Sequence, residues 1–272
     1  MIKRLIYKHF KAVKEKQESK ERDYTKVYFS PSSVNKCGRS LFYKKTEGEP
    51  STPPSVHTYV KFWMGDIVHE GLQEILKEGG YWVEGEEFKE KEYEGLTWVY
   101  RHDGLIASKI TKTLVEIKST YMSGYNAVEK APKEDHVKQL MMYMALEDIP
   151  RGELLYVGRD NGFMIEYIIR DGKVWRDDGI MDSEIMDCPK IDFDRLHKLK
   201  KAILEGSIPD RDYSISLKYA KGETKWAFTR DKIKYKSPWN CSYCDYKDKC
   251  WEEELKEIVN HKFFIDGKFL EK

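Results

Sequence analysis

The chain has 272 residues, 40% hydrophobic and 35% charged, with a formal net charge of +1. This supplies enough apolar material for a sizeable core in one large domain, and too little net positive charge for a general polyanion binder. No apolar run approaches the ~20 residues that span a bilayer, and the start, MIKRLIYKHFKAVKEK, lacks the apolar centre of a secretory signal, so a cytoplasmic chain is expected.

The near-neutral total hides segregation: residues 1–45 hold 13 Lys/Arg against 4 Asp/Glu, and residues 66–95 hold 3 against 10. A basic face and an acidic pocket are therefore expected together. Residues 1–26 read as a basic amphipathic helix or arm, with Leu5, Ile6, Phe10 and Val13 at roughly helical spacing. Ser30-Pro31-Ser32-Ser33 supplies an N-cap, and SVNKCGRSLFYKK is predicted to be a short helix carrying Cys37. After the loop GEPSTPPS, a strong helix is predicted over Thr58–Lys77, with Val60, Met64, Ile67, Val68, Leu72, Ile75 and Leu76 as its apolar face, Gly79-Gly80 as its stop, and His69 at the edge of that face.

From Tyr81 the periodicity changes to strands: YWVEGEEFKEKEY, TWVYRHDGLIA and KTLVEIKST are expected to form an antiparallel meander, its first strand carrying a mostly solvated row of acids. In the third, residues two apart leave the same face about 6.6 Å apart, so Glu116 and Lys118 point one way and Ile117 the other. Such a charged pair on an apolar strand is unfavourable unless it pairs or meets an ion or substrate. Asp103 in the neighbouring strand can bring a second carboxylate, and two carboxylates with a lysine can hold a divalent ion and set a water against a phosphodiester. Other Glu-x-Lys copies, at Glu18, Glu87, Glu223 and Glu254, read as solvated charge pairs.

A second helix is predicted over 133–147, with His136, Gln139 and Tyr143 on one polar stripe. Strands GELLYVGR and FMIEYIIR complete a mixed sheet, and the segment 177–206 is expected to be helical, broken near Pro189, with Cys188 a buried or free thiol. Residues 218–236 interleave lysines with Tyr219, Trp226, Phe228 and Tyr235, a mixture suited to stacking on an unpaired nucleic-acid strand. A surface hairpin fits that segment equally well.

Asp103 with Glu116-x-Lys118, preceded by the Gly65-x-x-x-His69 helix and followed by Gln139-x-x-x-Tyr143, resembles the RecB-like branch of the PD-(D/E)xK nuclease superfamily. The resemblance implies a mixed α/β sheet flanked by helices, a restriction-endonuclease-like core. It implies Mg²⁺ or Mn²⁺ held by His69, Asp103, Glu116 and the Ile117 carbonyl, with Lys118 acting on the attacking water and Gln139 and Tyr143 orienting Lys118 and the DNA.

Near the C-terminus, Cys241-x2-Cys244-x5-Cys250 reads as a set of metal ligands in need of a fourth. In iron-sulfur members of that branch the fourth cysteine lies before the core, so the resemblance implies that Cys37 completes a [4Fe-4S] cluster joining the N- and C-terminal segments. Zinc held by the same four thiolates is the alternative. Within one domain, 1–57 would be an N-terminal segment, 58–170 the catalytic core and 171–272 a C-terminal segment with three cluster cysteines.

The resulting expectation is a metal-dependent deoxyribonuclease, an exonuclease preferring single-stranded DNA. It carries no P-loop, so any unwinding needs a helicase or recombination partner. The alternative is a cluster-stabilised DNA-binding module with a vestigial nuclease site.

Overall fold

The computed structural model describes residues 5, 8–10, 12, 26–48, 56–107, 111–213, 216–217, 228–229, 232–233, 235–236, 241, 244–252, 263–265 and 268–270. Most of the basic arm lies outside them, as do Tyr219 and Trp226 of the aromatic segment. The chain divides into two compact units, one of residues 1–35 and 54–198, the other of 36–53 and 199–272.

The first unit is built on a mixed seven-stranded sheet. Its strands are β2 (Trp82–Glu84), β5 (Gly104–Ala107), β6 (Lys112–Thr120), β7 (Gly152–Gly158), β8 (Met164–Arg170), β9 (Lys173–Asp177) and β10 (Asp182–Asp187). The spatial order is β10-β9-β8-β7-β6-β5-β2, with β6 and β7 parallel and the other pairs antiparallel. A three-stranded sheet is formed by β1 (Tyr28–Phe29), β4 (Leu96–Tyr100) and β3 (Lys89–Tyr93), in the order β1-β4-β3.

The expected meander is therefore split between two sheets. TWVYRHDGLIA is two strands: β4, whose Leu96 and Trp98 are fully buried, and β5, separated at Arg101-His102-Asp103. Pairing with β3 ends at Tyr100 and pairing with β6 begins at Gly104, so the chain leaves one sheet and enters the other across these three residues.

The helices of this unit include α2 (Val56–Glu78), α3 (Met122–Val128) and α4 (Glu134–Glu147); α1 (Gly38–Thr46) belongs to the second unit, and α5 is Phe193–Glu205. Helix α4 follows its sequence pattern, burying Val137, Leu140, Met142 and Leu146. It supplies the crossover that parallel strands β6 and β7 require. Helix α2 does not follow its pattern: Met64, Ile67 and Ile75 are exposed, whereas Tyr59 and the polar Gln73 are buried. Gln73 is drawn inward by hydrogen bonds to Glu86 Oε1 and the Asp103 carbonyl, both 2.9 Å. The predicted helix over 177–206 is also corrected. Asp182–Asp187 is strand β10, paired with β9, and only Phe193–Glu205 is helical.

In the second unit Cys37 is the N-cap of α1, which begins later than SVNKCGRSLFYKK suggests. A 3-10 turn over Pro31–Ser33, part of the first unit, precedes it; Ser30 and Ser33 form a capping box. Within this unit, Gly38, Arg39 and Gly48 are tied to later residues by direct bonds. Gly38 N–H donates to Asp212 Oδ2 at 2.8 Å, Arg39 Nε to the Pro209 carbonyl at 2.7 Å, and Tyr246 Oη to the Gly48 carbonyl at 3.0 Å. These contacts make the link assigned in sequence to a metal cluster.

Candidate active site

The register of β5 against β6 pairs Gly104 with Val115, so the next position along places Asp103 beside Glu116. Asp103 Oδ2 accepts the Ile117 backbone N–H at 2.7 Å, which fixes its carboxylate over β6. From α2, His69 Nδ1 lies 3.5 Å from the same Asp103 oxygen. The helix comes close to the strand one turn earlier, at Gly65, where a Cβ would stand 3.6 Å from Ser119 Oγ. From α4, Gln139 Nε2 donates to Glu116 Oε1 at 2.7 Å, and Gln139 Oε1 accepts from Lys118 Nζ at 3.2 Å. Lys118 also pairs with Glu116 Oε1. Tyr143 Oη lies 3.2 Å from Gln139 Nε2 and donates to the Arg101 carbonyl at 3.2 Å.

Thus His69, Asp103, Glu116, Lys118, Gln139 and Tyr143, separated by up to 74 positions in sequence, gather in the first unit as two bonded sets, His69 with Asp103 and Glu116 with Lys118, Gln139 and Tyr143, brought side by side where Asp103 accepts the Ile117 N–H. Glu116 is 1% exposed. Burial and the neighbouring Asp103 carboxylate push its carboxyl up to about 7, against the opposing pull of Lys118. Burial draws the Lys118 ammonium down, but Glu116 and Asp103 more than reverse this, so its net shift is upward and it stays protonated. His69 is likewise lowered by burial and raised on balance by Asp103. His136, on the same stripe of α4, turns to the Tyr156 hydroxyl at 2.9 Å; burial and then Lys118 push it down to about 4.

Several expectations about metals are overturned. Among the described residues, the His/Cys/Asp/Glu group whose donor atoms all lie within 4.8 Å of one another is Glu84, His102 and Glu147. The four cysteines form no such group, so the expected [4Fe-4S] cluster, its zinc alternative and the resemblance to iron-sulfur RecB-like nucleases are not upheld. All four are free thiols. They are near neighbours: burial and then Cys37, with Cys244 and Cys250 further down, raise the Cys241 thiol.

The expected Mg²⁺ or Mn²⁺ ligands do not form such a group either. The physical reason is internal pairing: Lys118 and Gln139 hold Glu116 Oε1, while His69 and the Ile117 N–H hold Asp103 Oδ2. What this pairing leaves open is Glu116 Oε2, which is buried without a hydrogen-bond partner. An orphaned carboxylate oxygen beside a second carboxylate and an imidazole is a donor set that suits a divalent cation.

The Glu84–His102–Glu147 group escaped the sequence reading, which placed the acids of the first strand mostly on a solvated face. His102, polar and lodged between two buried apolar strands, is the signal that marks it.

No family model matches the chain, and no curated protein matches it. Among solved structures, it is similar to the crystal structure of SSO0001, with a TM-score of 0.52 and 19% identity over 90% of this chain and 94% of that one. It is also similar to an alkaline exonuclease, LHK-Exo, from Laribacter hongkongensis, with a TM-score of 0.38 and 13% identity over 65% of this chain and 84% of that one. For the same enzyme in complex with dAMP the TM-score is 0.36, with 14% identity over 66% and 87%. The likeness to SSO0001 is one of fold: a mixed α/β sheet with helices packed on it.

Proposed function

We propose that the chain is a metal-dependent deoxyribonuclease, an exonuclease preferring single strands, whose active site is the group His69, Asp103, Glu116, Lys118, Gln139 and Tyr143. The observation that carries this reading is Glu116 Oε2: a carboxylate oxygen buried and unpartnered, next to Asp103 and an ammonium held in its charged form. Burial of that kind is unfavourable in a purely structural role and is the usual mark of a site that meets a charged ligand.

His69, Asp103 and Glu116 are the residues that would hold a divalent cation arriving with the DNA phosphate; it would supply Lewis-acid polarisation of the phosphoryl oxygen. Lys118, protonated, orients the attacking water and offsets the negative charge that grows on the phosphorus oxygens. Water oxygen bonds to phosphorus, the bond from phosphorus to the leaving sugar oxygen breaks, and the products are a phosphate monoester and a hydroxyl. Gln139 spans Glu116 and Lys118 and keeps both in register, and Tyr143 anchors Gln139.

End-labelled single- and double-stranded DNA, incubated with the full chain in Mg²⁺ or Mn²⁺ and resolved on a sequencing gel, tests the reading. Ladders that shorten from an end, faster on single strands, abolished by EDTA and by Glu116→Gln, are expected. DNA binding without cleavage in either ion would overturn it in favour of a binding module.

A further inference from the structure

We propose that Glu84, His102 and Glu147 form a binding site for one Zn²⁺ ion, separate from the His69–Asp103–Glu116 group, and that this ion competes with the Lys89 ammonium for the two carboxylates. The three donors come from three elements: β2, the link between β4 and β5, and the last turn of α4. His102 Nε2 lies 3.8 Å from Glu84 Oε1 and 3.9 Å from Glu147 Oε1. Ligands held at about 2.1 Å in a tetrahedral zinc site stand about 3.4 Å apart, so each of these separations must close by only a few tenths of an ångström. Strand β2 is short, lies at the edge of its sheet and has a register break between Trp82 and Glu84, so the Glu84 backbone can supply that movement.

The independent observation is the imidazole itself. His102 is 1% exposed, and neither ring nitrogen has a hydrogen-bond partner. A buried histidine normally satisfies both nitrogens. Here Nε2 is aimed between two carboxylates. A neutral imidazole with an open ring nitrogen is a common metal ligand.

The carboxylates are ready as well. Glu147 sits at the C-terminal end of α4, where the helix dipole disfavours an anion, and is held ionised by a positive partner. The Tyr100 hydroxyl fixes its Oε1 at 2.8 Å.

Lys89 bonds Glu84 at 2.7 Å and Glu147 at 3.0 Å, from β3 at the edge of the three-stranded sheet. Its side chain is 25% exposed and that of Glu84 38%, so the ammonium can turn outward and an ion can enter on the same side. One imidazole with two carboxylates favours a borderline transition metal over Mg²⁺ or Ca²⁺, which prefer all-oxygen shells. Bound there, Zn²⁺ would brace the link that carries Asp103.

Calorimetric titration of the full chain with ZnCl₂ tests the site without reference to nuclease activity. Lys89→Met should tighten one zinc site by at least about tenfold, because it removes the competing cation. Glu84→Gln and His102→Phe should each abolish that same site, whereas Asp103→Asn and a Cys37→Ser, Cys241→Ser double variant should retain it. Glu84 is half-exposed, so its variant remains informative if His102→Phe fails to fold. Unchanged affinity in Lys89→Met, zinc uptake unaffected by Glu84→Gln, or uptake lost only with the cysteines would overturn the proposal.

Discussion

Gln139 donates a 2.7 Å hydrogen bond to Glu116 Oε1, so a side chain from helix α4 holds a buried carboxylate on the adjacent strand β6. An amide is suited to this position because it donates and accepts at once: its oxygen takes Lys118 Nζ while its nitrogen serves Glu116. Gln139→Leu, similar in size, leaves a buried carboxylate oxygen with one partner fewer. Stability is expected to fall by about 1–3 kcal/mol in urea denaturation. Cleavage of single-stranded DNA is expected to fall on the order of 10²-fold, a positioning loss. Full activity in this variant would show that α4 plays no part in the site.

Asp103 has two roles that substitution can separate. As an acceptor it satisfies the Ile117 N–H, and as a charge it faces His69 and Glu116. Asp103→Asn keeps an acceptor of the same shape, so its unfolding free energy should stay within about 1 kcal/mol of the parent, whereas Asp103→Ala should lose about 1–3 kcal/mol. Both should be inactive on DNA. Equal stability of the two variants would mean that the Ile117 contact contributes nothing to the fold.

Burial, followed by the neighbouring Glu153 and Asp177 carboxylates, pushes Glu166 on β8 up to about 7 from an ordinary value of 4.5. A carboxyl that binds its proton more tightly when folded gives stability that is present below its unfolded pKa and lost as pH rises through the folded one. Melting temperature attributable to this group should therefore decline between about pH 4.5 and 7 and then level off. Glu166→Gln, which cannot ionise, should melt above the parent at pH 8 and close to it at pH 4.5. Parallel melting curves across this range would show that Glu166 titrates alike in the folded and unfolded chain.

Gly152 opens β7 directly beneath α4. A Cβ there would lie 2.7 Å from Met144 Sδ and 2.9 Å from Leu140 Cγ. Leu140 is fully buried and cannot give way, so Gly152→Ala must lift the helix or strain the strand. A destabilisation of about 1–3 kcal/mol is expected. Because the displaced helix carries Gln139, DNA cleavage should fall along with it. A variant that melts like the parent would show that the helix floats freely over this strand.

By itself the sequence determined the elements with strong periodicity: the helices near 58–77 and 133–147, the strand carrying Glu116 and Lys118, and the two strands that follow. It also pointed to Glu116 and Lys118, because charged residues in an apolar run have few places to go, whereas His69, Gln139 and Tyr143 were singled out only by the family resemblance. Tertiary structure alone decided how the β-rich stretch divides between two sheets, since register and sheet choice depend on partners distant in sequence. It also decided that Asp182–Asp187 is a strand, because pairing with β9 outweighs a local pattern that reads as helix.

The cysteine reading failed for a related reason. Ligand spacing limits which residues can meet but not how close their donor atoms come, and here the two ends of the chain are joined by hydrogen bonds and ring contacts. His102, Glu84 and Glu147 lie on three separate elements with no shared spacing, so only the fold could bring their donors together.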